Sequence, residues 1–153
     1  MRPAKLILAL ATLAGGLFAA DLESGTWKLN LAKSKLIAPV SLASATMVIE
    51  PVDSQTHRIT FTPVAKDGQV RKMEEVRTCD GKERPSTSIP GTMIGCSGIG
   101  TATPQYWWRT KDGKKVAEIR VEISADGKIL TNSATSMDDK GNPFEETRVW
   151  DKQ

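Results

Sequence analysis

The chain is short of nearly everything from which active sites are usually built. Its 153 residues include one histidine and two cysteines. A single imidazole cannot make a zinc site with two lone thiols that are better used in a disulfide, and His57 has no evident partner for a nucleophile triad. It sits at the start of a strand beside Arg58 and reads as a surface residue. The glycine-rich run Gly95-Cys96-Ser97-Gly98-Ile99-Gly100 lacks phosphate-loop spacing and no helix signal follows it. Asp138, Asp139 and Asn142 lack the closing acidic residue of a calcium loop, so neither a metal nor a cofactor is expected. Nothing pairs a nucleophile with a base, and the chain is not expected to be an enzyme.

Charge of one sign is also scarce. The chain has 21 basic and 18 acidic residues, and Arg2 and Lys5 belong to an N-terminal segment that reads as a leader. Without them the balance is close to neutral, and no polybasic or aromatic-interleaved stretch marks a nucleic-acid surface. The one long apolar run, Leu6 to Phe18, follows those two positive residues and ends at Ala19-Ala20. That pattern predicts a signal peptide over residues 1–20 and an exported product, periplasmic or secreted. No remaining run is long enough for a membrane-spanning helix. Residues 21–153 are enough for one hydrophobic core, so a single domain is expected.

What is present is a regular series of turns. Asp-Gly recurs at 67–68, 80–81, 112–113 and 126–127, and Lys140-Gly141 stands in a fifth place. Asp-Gly between alternating segments is a strong hairpin signal, and the even spacing leaves room for strands of about ten residues. The expectation is an all-β, up-and-down antiparallel barrel of eight to nine strands. Gly25-Thr26-Trp27-Lys28-Leu29 opens it, Thr147-Arg148-Val149-Trp150 closes it, and pairing of the two leaves no free edge.

Counting outward from two-residue turns assigns faces, because residues directly opposite share one. Trp108 then faces Ala117 and Tyr106 faces Ile119, with Val121, Ile123, Asn132 and Leu130 continuing the inner wall, while Trp107 points outward. Around Asp67-Gly68 the same count sets Ile59 and Phe61 beside Lys72, Glu74 and Val76. Those two charges either face an enclosed polar ligand group or lie at a solvated rim. The loop at residues 138–143 admits either register, so the face of Arg148 stays open. Residues 32–43 carry Leu36, Ile37, Val40 and Leu42 without strand periodicity, and read either as a lid or as a loop packed on the outer wall.

Cys79 and Cys96 are expected to bond to each other, since export favours oxidation and Ile89-Pro90-Gly91-Thr92 suits a turn that folds the intervening segment back.

Gly25-Thr26-Trp27-Lys28-Leu29-Asn30, Ala32-Lys33-Ser34-Lys35, the Asp-Gly-Lys turns and the closing aromatic strand together resemble the small exported lipocalin-like proteins of bacteria, a calycin-type family. The resemblance covers nearly the whole chain after residue 20. It implies a barrel that holds a small apolar ligand and transfers no catalytic residue. It also implies structural roles for Gly25 and Trp27, the tryptophan packing at the closed end beneath a basic residue of the last strand, Arg148.

The functional expectation is a binder of a small hydrophobic or amphipathic molecule, lined by Trp108, Tyr106, Phe61, Ile119, Ala117 and Asn132, with Lys72 or Glu74 as a polar anchor. The alternative is an envelope interaction or inhibitor protein, its partner unknown, whose barrel is packed solid.

Overall fold

The computed structural model describes residues 21–37, 42–98, 104–138 and 140–153; the expected leader and Val40 of the apolar loop lie outside them. Ten strands form one antiparallel sheet: β1 Gly25–Leu29, β2 Leu42–Pro51, β3 Thr56–Ala65, β4 Met73–Thr78, β5 Arg84–Pro85, β6 Met93–Ser97, β7 Gln105–Lys111, β8 Lys114–Ile123, β9 Ile129–Met137 and β10 Pro143–Lys152. No helix occurs among the described residues. The count exceeds the expected eight to nine because the excursion tipped by Pro90-Gly91 forms its own small hairpin, β5 with β6.

The sheet runs β4-β3-β2-β1-β10-β9-β8-β7-β6-β5, so the first and last strands pair in its middle. Trp27 lies opposite Lys152 and Leu29 opposite Trp150. The curled sheet nevertheless keeps two edges, β4 and β5, where the sequence suggested none. The seam between β4 and the β5–β6 hairpin is held by the disulfide from Cys79, just past β4, to Cys96 of β6, by one bridge between Asp80 and Ser97, and by hydrogen bonds from Ser86 and Thr87 to Glu75 of β4. A continuous ladder is absent along this seam.

Large apolar side chains from most of the wall fill the base. Trp27, Leu29, Met47, Ile49, Ile59, Ile119, Val121, Leu130 and Trp150 form one buried cluster, with Phe61 and Trp107 packed against it. Trp27 is fully buried and its indole N–H donates to the Glu23 carbonyl at 2.8 Å. The cation over its ring is the Lys152 ammonium, 5.0 Å from the centroid. Arg148, given that role by the resemblance, lies over Phe61 at 5.8 Å instead. Gly25 belongs to the same corner: its φ is +135°, and a Cβ there would stand 2.7 Å from Lys152 Cε. Only glycine combines that backbone with that closeness.

Two turns correct the inward and outward assignments. Lys66-Asp67-Gly68 is a three-residue loop, with Ala65 N donating to Gln69 O and Gly68 in the left-handed region at φ +85°. The extra residue moves the register by one. Phe61 lies opposite Met73 and Ile59 opposite Glu75, so Lys72 and Glu74 point outward as an exposed ion pair at 3.0 Å.

Asp112-Gly113 is the expected two-residue turn, and both residues have positive φ. A bulge then interrupts the ladder, because Thr110 pairs with Lys115 but Arg109 pairs with Ala117. One extra residue in β8 exchanges the faces of β7. Trp107 lies opposite Ile119 and faces inward, whereas Trp108 lies opposite Glu118 and Tyr106 opposite Arg120, both on the outer wall. Trp108 lies flat over Gly95, where a Cβ would be 2.4 Å from the indole, and donates to Glu83 at 2.7 Å. The pairings Ile119 with Ala134, Val121 with Asn132 and Ile123 with Leu130 stand as counted from Asp126-Gly127.

Candidate functional site

The barrel encloses a cavity with two lobes. The inner lobe, about 300 Å³, is walled by Met47, Ile49, Ile59, Phe61, Val121, Leu130 and Trp150. The outer lobe, about 240 Å³, is walled by Ile119 and by the small or polar groups Ala117, Ala134, Ser136 and Glu146. Trp107, Arg109, Asn132, Arg148 and Ile89 border both lobes and form the waist between them.

The alternation of the strands builds this gradient. On β10 the inner face reads Glu146, Arg148, Trp150, and on β9 it reads Ser136, Ala134, Asn132, Leu130, so both strands pass from polar or small to large and apolar toward the base. The five-residue loop after Met137, which pairs with Pro143, settles the open register and turns Arg148 inward.

Three arginines enter the interior, each beside a glutamate. Arg77 donates to Glu23 at 2.6 Å, both side chains being buried, and its guanidinium lies 5.6 Å from the Trp107 ring. His57, expected at the surface, is instead 1% exposed, with Nε2 at 2.7 Å from Asp21 and Nδ1 at 3.6 Å from Glu23. The inner face of β3 runs His57, Ile59, Phe61, which places the imidazole opposite Arg77. The segment Asp21–Ser24 thus seals the base, with Asp21 and Glu23 set against His57 and Arg77. Burial pushes the Asp21 carboxyl up, but hydrogen bonds from Ser24 and His57 outweigh it and hold the group below its ordinary value.

Arg109 lies 3.5 Å from Glu75 and donates to Ser86 Oγ at 2.8 Å and Thr92 Oγ1 at 3.0 Å. Glu75 in turn accepts from Ser86 Oγ, Ser88 Oγ, the Thr87 amide and Thr87 Oγ1. These bonds pin the tip of the β5–β6 hairpin over the cavity, with Ile89 bordering both lobes. Leu36 and Leu42 of the apolar loop pack against the core, and Leu36 and Ile37 do not line the cavity.

Arg148 is the least committed of the three. Its Nε lies 2.5 Å from Glu146, and its terminal nitrogens make no hydrogen bond among the described residues.

Of the residues expected to line a site, Phe61, Ile119, Ala117 and Asn132 do so. Trp108, Tyr106, Lys72 and Glu74 stand outside for the register reasons above. Sequence reasoning missed Trp107, Trp150, Glu75, Arg77 and Arg109. The signal was present, since a charged pair on an otherwise apolar face was already anomalous, and a shift of one residue replaces Lys72, Glu74 and Val76 with Met73, Glu75 and Arg77.

No family model matches the sequence, and no curated protein matches it. Solved structures do. Wild-type fluorescent protein UnaG superposes with a TM-score of 0.59 at 16% identity, covering 85% of this chain and 96% of that one. The zebrafish ileal bile acid-binding protein in complex with cholic acid superposes with a TM-score of 0.50 at 15% identity, covering 86% and 99%. At such identities the likeness concerns the fold, which is that of the calycin-type β-barrels.

Proposed function

We propose that this protein is an exported carrier of a small amphipathic molecule bearing an anionic group. The observation that carries the reading is Arg148. At the waist of the cavity its guanidinium lies over Phe61 and its terminal N–H groups make no hydrogen bond among the described residues, beside a mostly apolar lobe of about 300 Å³. An anion with an apolar body matches both, because a guanidinium binds carboxylates and sulfonates through paired N–H donors while the lobe takes hydrocarbon out of water. The cavity weighs against the solid-barrel alternative. The leader-like N-terminus and the Cys79–Cys96 bond support export, since disulfides persist in oxidising compartments.

Anilinonaphthalene sulfonate, an apolar anion, provides the test. It should bind the protein lacking residues 1–20 saturably, with a blue-shifted emission. Arg148→Leu should weaken binding about tenfold or more, as for a charge-assisted hydrogen bond. Ala117→Phe, which fills the outer lobe, should weaken it as well. Absence of saturable binding, or equal affinity in all three proteins, counts against the carrier.

A further inference from the structure

Among the uncharged side chains of the cavity wall, two carry a buried polar atom without a hydrogen-bond partner among the described residues. Trp150 Nε1, a donor, and Asn132 Oδ1, an acceptor, are shielded from solvent and make no hydrogen bond among the described residues. Both side chains line the inner lobe. They project from adjacent strands, Asn132 opposite Arg148 and Trp150 opposite Leu130. That makes them diagonal neighbours, about 7–8 Å apart at Cα on one face of an antiparallel pair.

The polar atoms at the base differ, because Glu23, Arg77, His57 and Asp21 face one another. Trp150 Nε1 and Asn132 Oδ1 have no such opposing charged group in hydrogen-bond contact, and both side chains border the cavity. Buried donors and acceptors are nearly always paired, with protein, water or ligand. Water can serve both atoms while the lobe is empty. A ligand that displaces this water with bare hydrocarbon leaves both unpaired and loses affinity for it.

A hydroxyl group donates and accepts at once, and so serves an indole N–H and an amide oxygen together. It also serves either orientation of the Asn132 amide. Resting on the carrier reading above, we infer that the ligand is a hydroxy acid. Its anionic group meets Arg148, and a hydroxyl on its apolar body accepts from Trp150 Nε1 and donates to Asn132 Oδ1. Unsubstituted acids of the same size then become the discriminated class.

The test compares 2-naphthoic acid with its 5-, 6- and 7-hydroxy isomers by isothermal titration calorimetry, so that the position of the hydroxyl is varied on one rigid body. At least one isomer should bind the wild type about tenfold or more tighter than the parent acid. That advantage, taken as the ratio of the isomer's affinity to the parent acid's within each protein, should vanish in Asn132→Leu and in Trp150→Phe, with the fold of each variant checked by circular dichroism and its urea melt. The proposal is overturned if no isomer outbinds the parent, or if the advantage survives both substitutions. Binding of the parent acid without any gain from a hydroxyl removes the hydroxy-acid assignment and leaves the anionic carrier standing. If neither the naphthoates nor anilinonaphthalene sulfonate binds, both readings fall.

Discussion

At the scale of single residues the molecule depends on which way each tryptophan points. Trp27 is enclosed by the base of the barrel, tied to the Glu23 carbonyl and covered by Lys152. Trp108 spends its indole on Gly95 and Glu83 at the outer wall. Removing the first opens a cavity in the main core, and Trp27→Ala should cost about 3–5 kcal/mol, within the range for a large buried aromatic. Removing the second strips an outer covering, and Trp108→Ala should cost less than half as much. Urea melts of the two variants decide this; equal losses would mean that the bulge in β8 has been assigned the wrong consequence. Trp27 and Gly25 were legible because their roles follow from one strand. The partner cation was not, since Lys152 and Arg148 lie on the same face of β10 and only the pairing of Trp27 with Lys152 chooses between them.

At the scale of elements, hairpins were easy to see and registers were not. Asp67-Gly68, Asp112-Gly113 and Asp126-Gly127 each mark a hairpin, whereas Asp80-Gly81, expected to be a fourth, joins β4 and β5, the two edges that do not pair. The dipeptide is also shared by two-residue and three-residue loops, and one extra residue exchanges every side chain between faces. The loop at Lys66–Gly68 and the bulge at Arg109 and Thr110 are both of this kind, so the wall around Asp126-Gly127 was read correctly while its neighbours were inverted. The short β5–β6 hairpin shows what the inversion concealed. Its tip is held by Glu75, a residue the two-residue count turned to the outside. Burial pushes the Glu75 carboxyl up, yet hydrogen bonds from Ser86, Ser88 and Thr87 more than offset this and leave it below its ordinary value of 4.5. A depressed carboxylate contributes stability that is present above its unfolded-state value and is lost as pH falls through the folded one. The tip should therefore stay closed at neutral pH and loosen below about pH 4.5. Glu75→Gln should loosen it at every pH, seen as faster amide exchange at Ser86 and Ile89 with the β1 amides unaffected. Unchanged exchange at the tip would show that the hairpin is held by its own turn.

At the scale of the whole molecule the barrel has two closures of different strength. The first joins β1 to β10 in the middle of the sheet by a backbone ladder over the buried Trp27, Leu29 and Trp150. The second joins β4 to the β5–β6 hairpin by the disulfide and one bridge to β6 and by the Glu75 bonds to the segment after β5. The first closure was readable from the two ends of the chain, because their aromatic and aliphatic residues matched. The second was half readable: the cysteine pair was evident, but a sequence does not show where a ladder is missing. Regions held by few backbone bonds open first, and the free energy of opening should rise from the seam toward the β1–β10 pair. Replacing both cysteines, Cys79→Ser with Cys96→Ser, removes a constraint that spans a separation of 17 residues and should lower stability by about 3 kcal/mol. The loss should be local in its kinetics. Hydrogen exchange in the double variant should accelerate in β4, β5 and β6, with β1 and β10 amides changing only as much as the global loss requires. Uniform acceleration at all strands would mean that the barrel opens as one cooperative unit and that the seam is not its weak side. Acceleration confined to the seam would identify the gap between β4 and β6 as the place where the wall parts first.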